Sequence, residues 1–279
     1  MVFYNNQKLI RGQIVFRKLF GIILFIVVIF ITINCSTKSE ITFNLYCRFF
    51  DLLDIELPHQ QTTVILENHN GNPANVYKRT TETNSLTFID VPFGIYTIKI
   101  NQKGFKDYFF SSLVVNTSSI THVANLDLAI GNIFSLQGVS WQILEIKDNE
   151  MLLITEKVIA EKRFDLQSNI WFNSEIRQYL QHEFYDSLPD LLRLAIVEHN
   201  NDPIFLLSTD EIQWYLKHET DRVARNLEGL AAFWWLRSPG YDHRHAAGIG
   251  NDGTLYLDGY YINDHTQIGG VRPAIWIKY

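Results

Sequence analysis

The sequence predicts an all-β sandwich domain followed by an α+β domain, after an N-terminal signal segment. Three observations predict it. A basic flank and a long apolar run occupy the first 35 residues. From Ile41 to about Ala129, short alternating stretches separated by turn residues show no helical period. Beyond Ile130, two stripes of apolar residues at helical spacing appear among further strand-like stretches.

Length and composition agree with this division. A chain of 279 residues holds two modest domains at the usual ~100 to 200 residues each. They are expected at 41–129 and 131–279, with Ile130-Gly131-Asn132 as the junction. A hydrophobic content of 47% against 19% charged residues excludes wholesale disorder. The formal charge of -6, with no basic cluster after residue 18, argues against a nucleic-acid partner.

Attachment to a membrane is expected through the N-terminus. Lys8, Arg11, Arg17 and Lys18 precede an apolar stretch from Leu19 to Ile33, followed by Asn34-Cys35-Ser36. The stretch is shorter than the ~20 residues of a spanning helix, and its basic flank fits retention of that end in the cytoplasm. Cys35 resembles the acylated cleavage cysteine of bacterial lipoproteins, with departures from the usual pattern at Thr32 and Asn34. An uncleaved signal anchor and a buried core helix are the alternatives. The implied location is the bacterial cell envelope, membrane-anchored, with the rest of the chain periplasmic or surface-exposed.

Cys35 and Cys47 are the two cysteines, too few for a disulfide framework or a thiolate metal site. With Cys35 acylated, Cys47 reads as a small buried apolar side chain. A bond between the two in an oxidising compartment is the alternative.

In the first domain, Ile41, Phe43 and Tyr46 open a strand, and Val64 and Leu66 lead into a turn at Asn68-His69-Asn70-Gly71-Asn72. The clearest stretch runs from Leu86 to Ile100, where Ile98 and Ile100 alternate with Thr97 and Lys99. Its Val91-Pro92-Phe93-Gly94-Ile95-Tyr96-Thr97-Ile98-Lys99-Ile100, followed by Gly104-Phe105, resembles the prealbumin-like sandwich of carboxypeptidase regulatory domains and collagen-adhesin B-type repeats. That resemblance implies a stalk or spacer, and a Tyr96 that anchors its strand.

The second domain opens with a predicted hairpin, Val139–Ile146 returning as Met151–Ile154. Asn173 or Ser174 caps a helix with Ile176, Tyr179, Leu180 and Phe184 on one face. Asp202–Leu207 reads as a buried strand. Ser208 with Glu211 forms a capping-box signal for a helix bearing Ile212, Tyr215 and Leu216.

The last third is built around Trp234-Trp235-Leu236-Arg237-Ser238-Pro239-Gly240 and Gly270-Val271-Arg272-Pro273-Ala274-Ile275-Trp276-Ile277. Both read as core strands. On a strand Trp234 and Trp235 point to opposite faces, so one anchors the core and the other meets a second layer or serves as a sugar-stacking platform. Trp276 is expected to be structural. Arg237 and Arg272, each embedded in apolar sequence, need acidic or carbonyl partners, with Asp210 and Glu211 as candidates.

Together with Val139-Ser140-Trp141-Gln142-Ile143-Leu144, Trp171–Leu180 and Phe205–Ser208, these segments resemble the bacterial family known as domain of unknown function 6273, over residues 136 to 279. The resemblance implies a C-type-lectin-like fold, distantly like that of formylglycine-generating enzymes. It implies no activity.

The polar segment between the two tryptophan motifs is the expected ligand-contact region. Its candidates are Tyr241, Asp242, His243, His245, Asp252, Tyr256, Tyr260 and Asp264. Asn251-Asp252-Gly253 and Asp258-Gly259 read as hairpin turns flanking a strand. His243 and His245, two apart on an extended segment, share a side and could join Asp242 or His265 at a metal. The spacing matches no established site pattern, so a solvated loop is expected, with no metal and no cofactor.

Three functions compete. A surface-tethered module binding a glycan or surface protein fits the Tyr, Asp, Asn and Trp content, because aromatic faces stack on sugars while carboxylates and amides bond hydroxyls. A non-catalytic structural or assembly component of the envelope is the second. A hydrolase using carboxylates such as Asp252 and Asp264 is the third. The lack of cysteine in residues 131–279 argues strongly against cysteine-dependent oxidation.

Overall fold

A computed structural model of the chain describes residues 37–47, 61–69, 76–136, 138–263 and 268–279. The expected signal segment and Cys35, the turn residues Asn70 to Asn72, and Asp264 and His265 lie outside the described residues. The protein is β-rich. Among the described residues no helix is long and apolar enough to cross a membrane.

The first region contains β1 (Lys38–Tyr46), β2 (Thr62–Asn68), β3 (Val76–Thr81), β4 (Ser85–Pro92), β5 (Gly94–Gln102), β6 (Tyr108–Val115) and β7 (Ser119–Asn125). They form two sheets, ordered β4-β1-β7 and β3-β2-β5-β6. Period-two alternation decides what faces inward: Ile41, Phe43 and Leu45 from β1, and Val64 and Leu66 from β2, are buried. Tyr46 faces outward, Leu45 taking the inward position. The chain crosses between the sheets at Phe93, directly after Pro92. The fully buried Tyr96 donates its hydroxyl to the Pro92 carbonyl at 2.9 Å, tying the new strand to the corner it left.

The second region continues with β8 (Ile133–Leu136), β9 (Val139–Lys147), β10 (Glu150–Thr155), β11 (Ala160–Lys162) and β12 (Ile196–Val197). After the short pair β13 (Ala224–Arg225) and β14 (Ala231–Ala232) come β15 (Trp234–Pro239), β16 (His245–Ile249), β17 (Leu255–Tyr261), β18 (Gly269–Val271) and β19 (Ala274–Lys278). Two five-stranded sheets result, ordered β12-β19-β10-β9-β8 and β11-β18-β15-β16-β17. The β9–β10 hairpin turns on Asp148 and Asn149, both in the left-handed region at φ 52° and 64°, as a two-residue turn of the favoured hand requires.

The helices sit where their caps place them. Ser174 Oγ accepts from the Arg177 amide at 3.3 Å and starts the helix Glu175–Tyr179, which passes through a π turn, Leu180–Phe184, into Tyr185–Ser187. Ile176, Leu180 and Phe184 are buried. Ser208 and Glu211 form a reciprocal box: Ser208 Oγ accepts from the Glu211 amide at 3.2 Å, and Glu211 Oε2 from the Ser208 amide at 2.7 Å. The helix Thr209–Tyr215 follows.

Three expectations are corrected. Ile204 to Leu207 is buried but is not a strand. Phe205 exchanges both backbone bonds with Ala274 of β19, and the Leu207 carbonyl then accepts from the Arg237 amide of β15. A segment that changes sheets within three residues cannot build a ladder in either.

Asp258-Gly259 is not a hairpin turn but lies inside β17. Ala246 faces Tyr260 and Gly248 faces Tyr256, so the extra residues bulge outward. Gly259 takes φ +78°, where a Cβ would stand 2.2 Å from the Ala246 carbonyl oxygen. Finally, Gly270 to Ile277 is two strands rather than one. Gly270 of β18 pairs with Trp234, whereas β19 runs beside β10 in the other sheet. The break falls at Arg272-Pro273, where proline supplies no ladder donor.

Trp234 and Trp235 are both fully buried, on opposite faces of β15. Trp235 packs in a cluster with Phe164, Ile176 and Ile275; Trp234 packs in another with Leu207, Ile212 and Ile249. Neither ring offers a stacking surface to a ligand. Close approach of β18 to Trp235 depends on Gly269, where a Cβ would stand 2.3 Å from the indole nitrogen. Trp276 is half-buried and stacks on His199, with ring centroids 4.9 Å apart.

Candidate functional site

The segment from Tyr241 to Tyr261 lies at the edge of the second sheet, where β17 is the outermost strand. β15 ends at Pro239, and Gly240 turns the chain: its amide donates to the His245 carbonyl at 2.7 Å, and the Tyr241 amide to the Asp258 carbonyl at 2.9 Å. A short loop then leads into β16 at His245.

The loop is closed by a carboxylate. Asp242 Oδ1 lies 2.6 Å from His245 Nδ1 and accepts from the Arg244 amide at 2.8 Å, while Oδ2 stands 3.3 Å from the Arg244 guanidinium. The His245 bond first, then the Arg244 donors, hold the Asp242 carboxyl down at about 2.

A buried asparagine completes the clamp. Asn169 Nδ2 donates to the carbonyls of Asp242 and His245, both at 2.9 Å, and the Asn169 amide donates to His243 O at 3.1 Å.

Around this loop the aromatic rings converge. His245, buried, has the Tyr241 ring centroid at 5.1 Å and the Tyr261 centroid at 4.3 Å. Tyr241 is 71% exposed and Tyr261 47%, so this small aromatic face is open to solvent. The Arg244 guanidinium stands 6.0 Å from the Tyr261 centroid. Register explains the meeting, because His245 on β16 faces Tyr261 on β17 directly.

The remaining candidates separate from this group. Tyr256 and Tyr260 form a second pair, centroids 5.1 Å apart, and Tyr260 packs on Phe233 at 4.4 Å. Burial, then the Tyr256 hydroxyl, pushes the Tyr260 phenol up to about 12. Asp252 is exposed at the β16–β17 turn, where Oδ1 accepts from the Thr254 amide at 3.0 Å; this bond draws its carboxyl below the usual range. His243 and His245, expected to share a side, do not: His243 is exposed while His245 is buried against Asp242. Among the described residues no group of three or more His, Cys, Asp or Glu could hold a metal ion.

The two arginines of the tryptophan motifs turn away from this surface. Arg237 lies 2.7 Å from each carboxylate oxygen of Glu211 and donates to the Leu206 carbonyl at 2.6 Å. Arg272 is buried over the Trp234 ring, 5.0 Å from its centroid, donating to the Thr155 carbonyl at 2.7 Å. Desolvation pushes its guanidinium down to about 10.

Arg244 and Tyr261 lie within the expected ligand-contact segment, whereas Asn169 is the site residue that sequence reasoning did not single out. Tyr261 follows from register once His245 is placed in a strand. Asn169 carries no local signal, since its partners lie 73 and 76 residues away.

No curated protein matches this chain. One solved structure similar to part of it is that of a candidate carbohydrate binding protein from Bacteroides uniformis. It is 12% identical, with a TM-score of 0.28, over 47% of this chain and 59% of that one. The chain thus spans well under two thirds of that protein's length. Residues 148–279, which hold every strand from β10 to β19, match the model of the family described as Domain of unknown function (DUF6273).

Proposed function

We propose that this chain is a cell-envelope-tethered binding or adhesion protein whose C-terminal region presents the Tyr241–His245–Tyr261 face to a glycan. The single observation that carries the proposal is that face: two exposed tyrosine rings gathered on a buried histidine. A carboxylate and a guanidinium stand within the same loop. Aromatic planes take the apolar faces of sugar rings, while Asp242 and Arg244 offer an acceptor and donors to hydroxyls. Anchoring of the loop by Asn169 reduces the ordering cost of binding.

In this proposal residues 1–35 act as a signal peptide or membrane anchor, with Cys35 as the lipidation site. The first region is a prealbumin-like β-sandwich that spaces a lectin-like head from the membrane. Supporting the sandwich are two sheets with inward-facing apolar alternation and a tyrosine at the crossover. Replacing Cys35 with Ala should move the chain out of the lipid-labelled membrane fraction; unchanged labelling would remove the lipoprotein assignment.

The decisive experiment is a glycan array probed with the full-length chain in mild detergent, alongside Tyr241→Ala, Tyr261→Ala and Tyr260→Ala. Each exposed tyrosine should weaken binding by about 2- to 10-fold, the worth of one aromatic contact. Tyr260→Ala should chiefly lower stability, because that ring is packed on Phe233. A blank array, or binding indifferent to Tyr241 and Tyr261, would sink the proposal.

A further inference from the structure

A second cleft, of about 580 Å3, opens at the opposite edge of the same sheet, between β11 and the helix that begins at Glu175. We propose that it binds a small zwitterion of the amino-acid class, independently of the aromatic face. Its volume lies in the range of small-molecule sites.

The distribution of charge identifies the ligand class. Lys162 Nζ stands 4.0 Å from the centroid of the Tyr179 ring, so its ammonium is held by a π face rather than by a carboxylate. Arg163 is already engaged, its Nε 2.7 Å from Glu175 Oε2. Glu161 and Glu183 also line the cleft, and among the described residues neither enters an ion pair. Lys162, Glu161 and Glu183 therefore carry charges without an ion-pair partner among the described residues. A ligand with a carboxylate and an ammonium answers both signs; a phosphate or other polyanion would meet more negative than positive charge.

The helical wall is built irregularly at this place. Tyr179 ends the α-helical turn, and His182 and Glu183 lie on the π turn Leu180–Phe184. A π turn inserts a residue into the helical repeat and is frequently found at functional sites. The opposite wall is fixed as well, since the Lys162 carbonyl accepts from the Trp235 indole at 2.9 Å. The Tyr179 phenol is raised by burial and then by the carboxylate of Glu183, four residues further along the same helical segment.

The test uses the full-length chain in mild detergent, screened by thermal shift against the individual L-amino acids at millimolar concentration, with hits followed by calorimetry. At least one should bind, while its methyl ester and its N-acetyl derivative should each bind about tenfold more weakly or worse. Lys162→Gln and Glu183→Gln should each weaken binding to the same degree with their ligand-free unfolding midpoints unchanged; Tyr261→Ala should leave it intact. Silence across the panel, or capped derivatives that bind like the parent, would overturn the proposal. Loss in only one of the two charge variants would overturn its two-ended form. The capped ligands keep the test decisive should a variant fail to fold.

Discussion

Asp242 Oδ1 lies 2.6 Å from His245 Nδ1, three residues ahead, and the same oxygen accepts from the amide of Arg244 between them. One carboxylate thus sets both the loop and the tilt of the histidine ring against which Tyr241 and Tyr261 lie. The Asp242 carboxyl is held at about 2 against an ordinary 3.8. A depressed acid contributes stability that is fully present above its unfolded value and disappears as pH falls through its folded value. The Asp242 contribution should therefore be constant down to about pH 5 and be lost between about 4 and 2. Followed by NMR, the Arg244 amide should titrate with a midpoint near that of Asp242 and lose the titration in Asp242→Asn. A midpoint at 3.8 would contradict the clamp.

Asn169 carries the other half of the loop's order. Its side-chain amide serves two carbonyls, and one of these bonds is fully buried. In Asn169→Ala each carbonyl loses one of two donors, because the His245 amide still serves Asp242 and the Gly240 amide still serves His245. The expected loss is about 1 to 3 kcal/mol, the net worth of two hydrogen bonds. Urea unfolding should show a lower midpoint at unchanged slope. Glycan binding should weaken too, because the loop must then be ordered by the ligand. An Asn169→Ala protein with wild-type stability would mean that water replaces the amide at no cost.

What the sequence disclosed, and what it hid, follows from the range of the interactions. The Ser208–Glu211 box and the Ser174 cap were legible because capping is completed within four residues. The Asp148–Asn149 hairpin was legible for the same reason. Asp258-Gly259 misled because the dipeptide suits any left-handed position, and only pairing with Ala246 and Gly248 makes it a bulge. The buried run Ile204 to Leu207 has a strand's composition, yet its partners are split between two sheets. In the site, the clustering of Tyr241 with His245 was within local reach. Asn169 and the Lys162–Tyr179 cleft were not, since both are made by segments that meet only in the folded chain.

The two arginines should respond differently to truncation. Arg237 is partly exposed, and its partner Glu211 can be solvated once alone, so Arg237→Ala should cost about 1 to 3 kcal/mol. Arg272 is buried, with Nη1 lacking a hydrogen-bond partner in the described structure. Arg272→Ala leaves the Thr155 carbonyl unpaired and a void over Trp234, at about 3 to 5 kcal/mol. Arg272→Met should cost distinctly less, because it removes the desolvated charge while filling the space. Equal losses for Ala and Met at position 272 in urea unfolding would show that the hydrogen bond, and not the packing and the charge, dominates.

Adjacent in sequence, Trp234 and Trp235 should behave as independent residues. Each indole donates to a different carbonyl, Trp234 to Arg222 at 3.0 Å and Trp235 to Lys162 at 2.9 Å. Their rings lie in different apolar clusters on opposite faces of β15. Replacing either with Phe removes one donor and part of a ring, which should cost about 1 to 3 kcal/mol through the orphaned carbonyl alone. Neighbouring residues ordinarily couple through shared partners, and here the indole acceptors and the buried clusters differ. The Trp234→Phe/Trp235→Phe double variant should therefore lose the sum of the single losses to within about 0.5 kcal/mol in urea unfolding. A larger coupling of either sign would mean that the two faces of the sheet relax together. Trp235→Phe should in addition loosen the Lys162 backbone and weaken zwitterion binding, an effect that Trp234→Phe should lack.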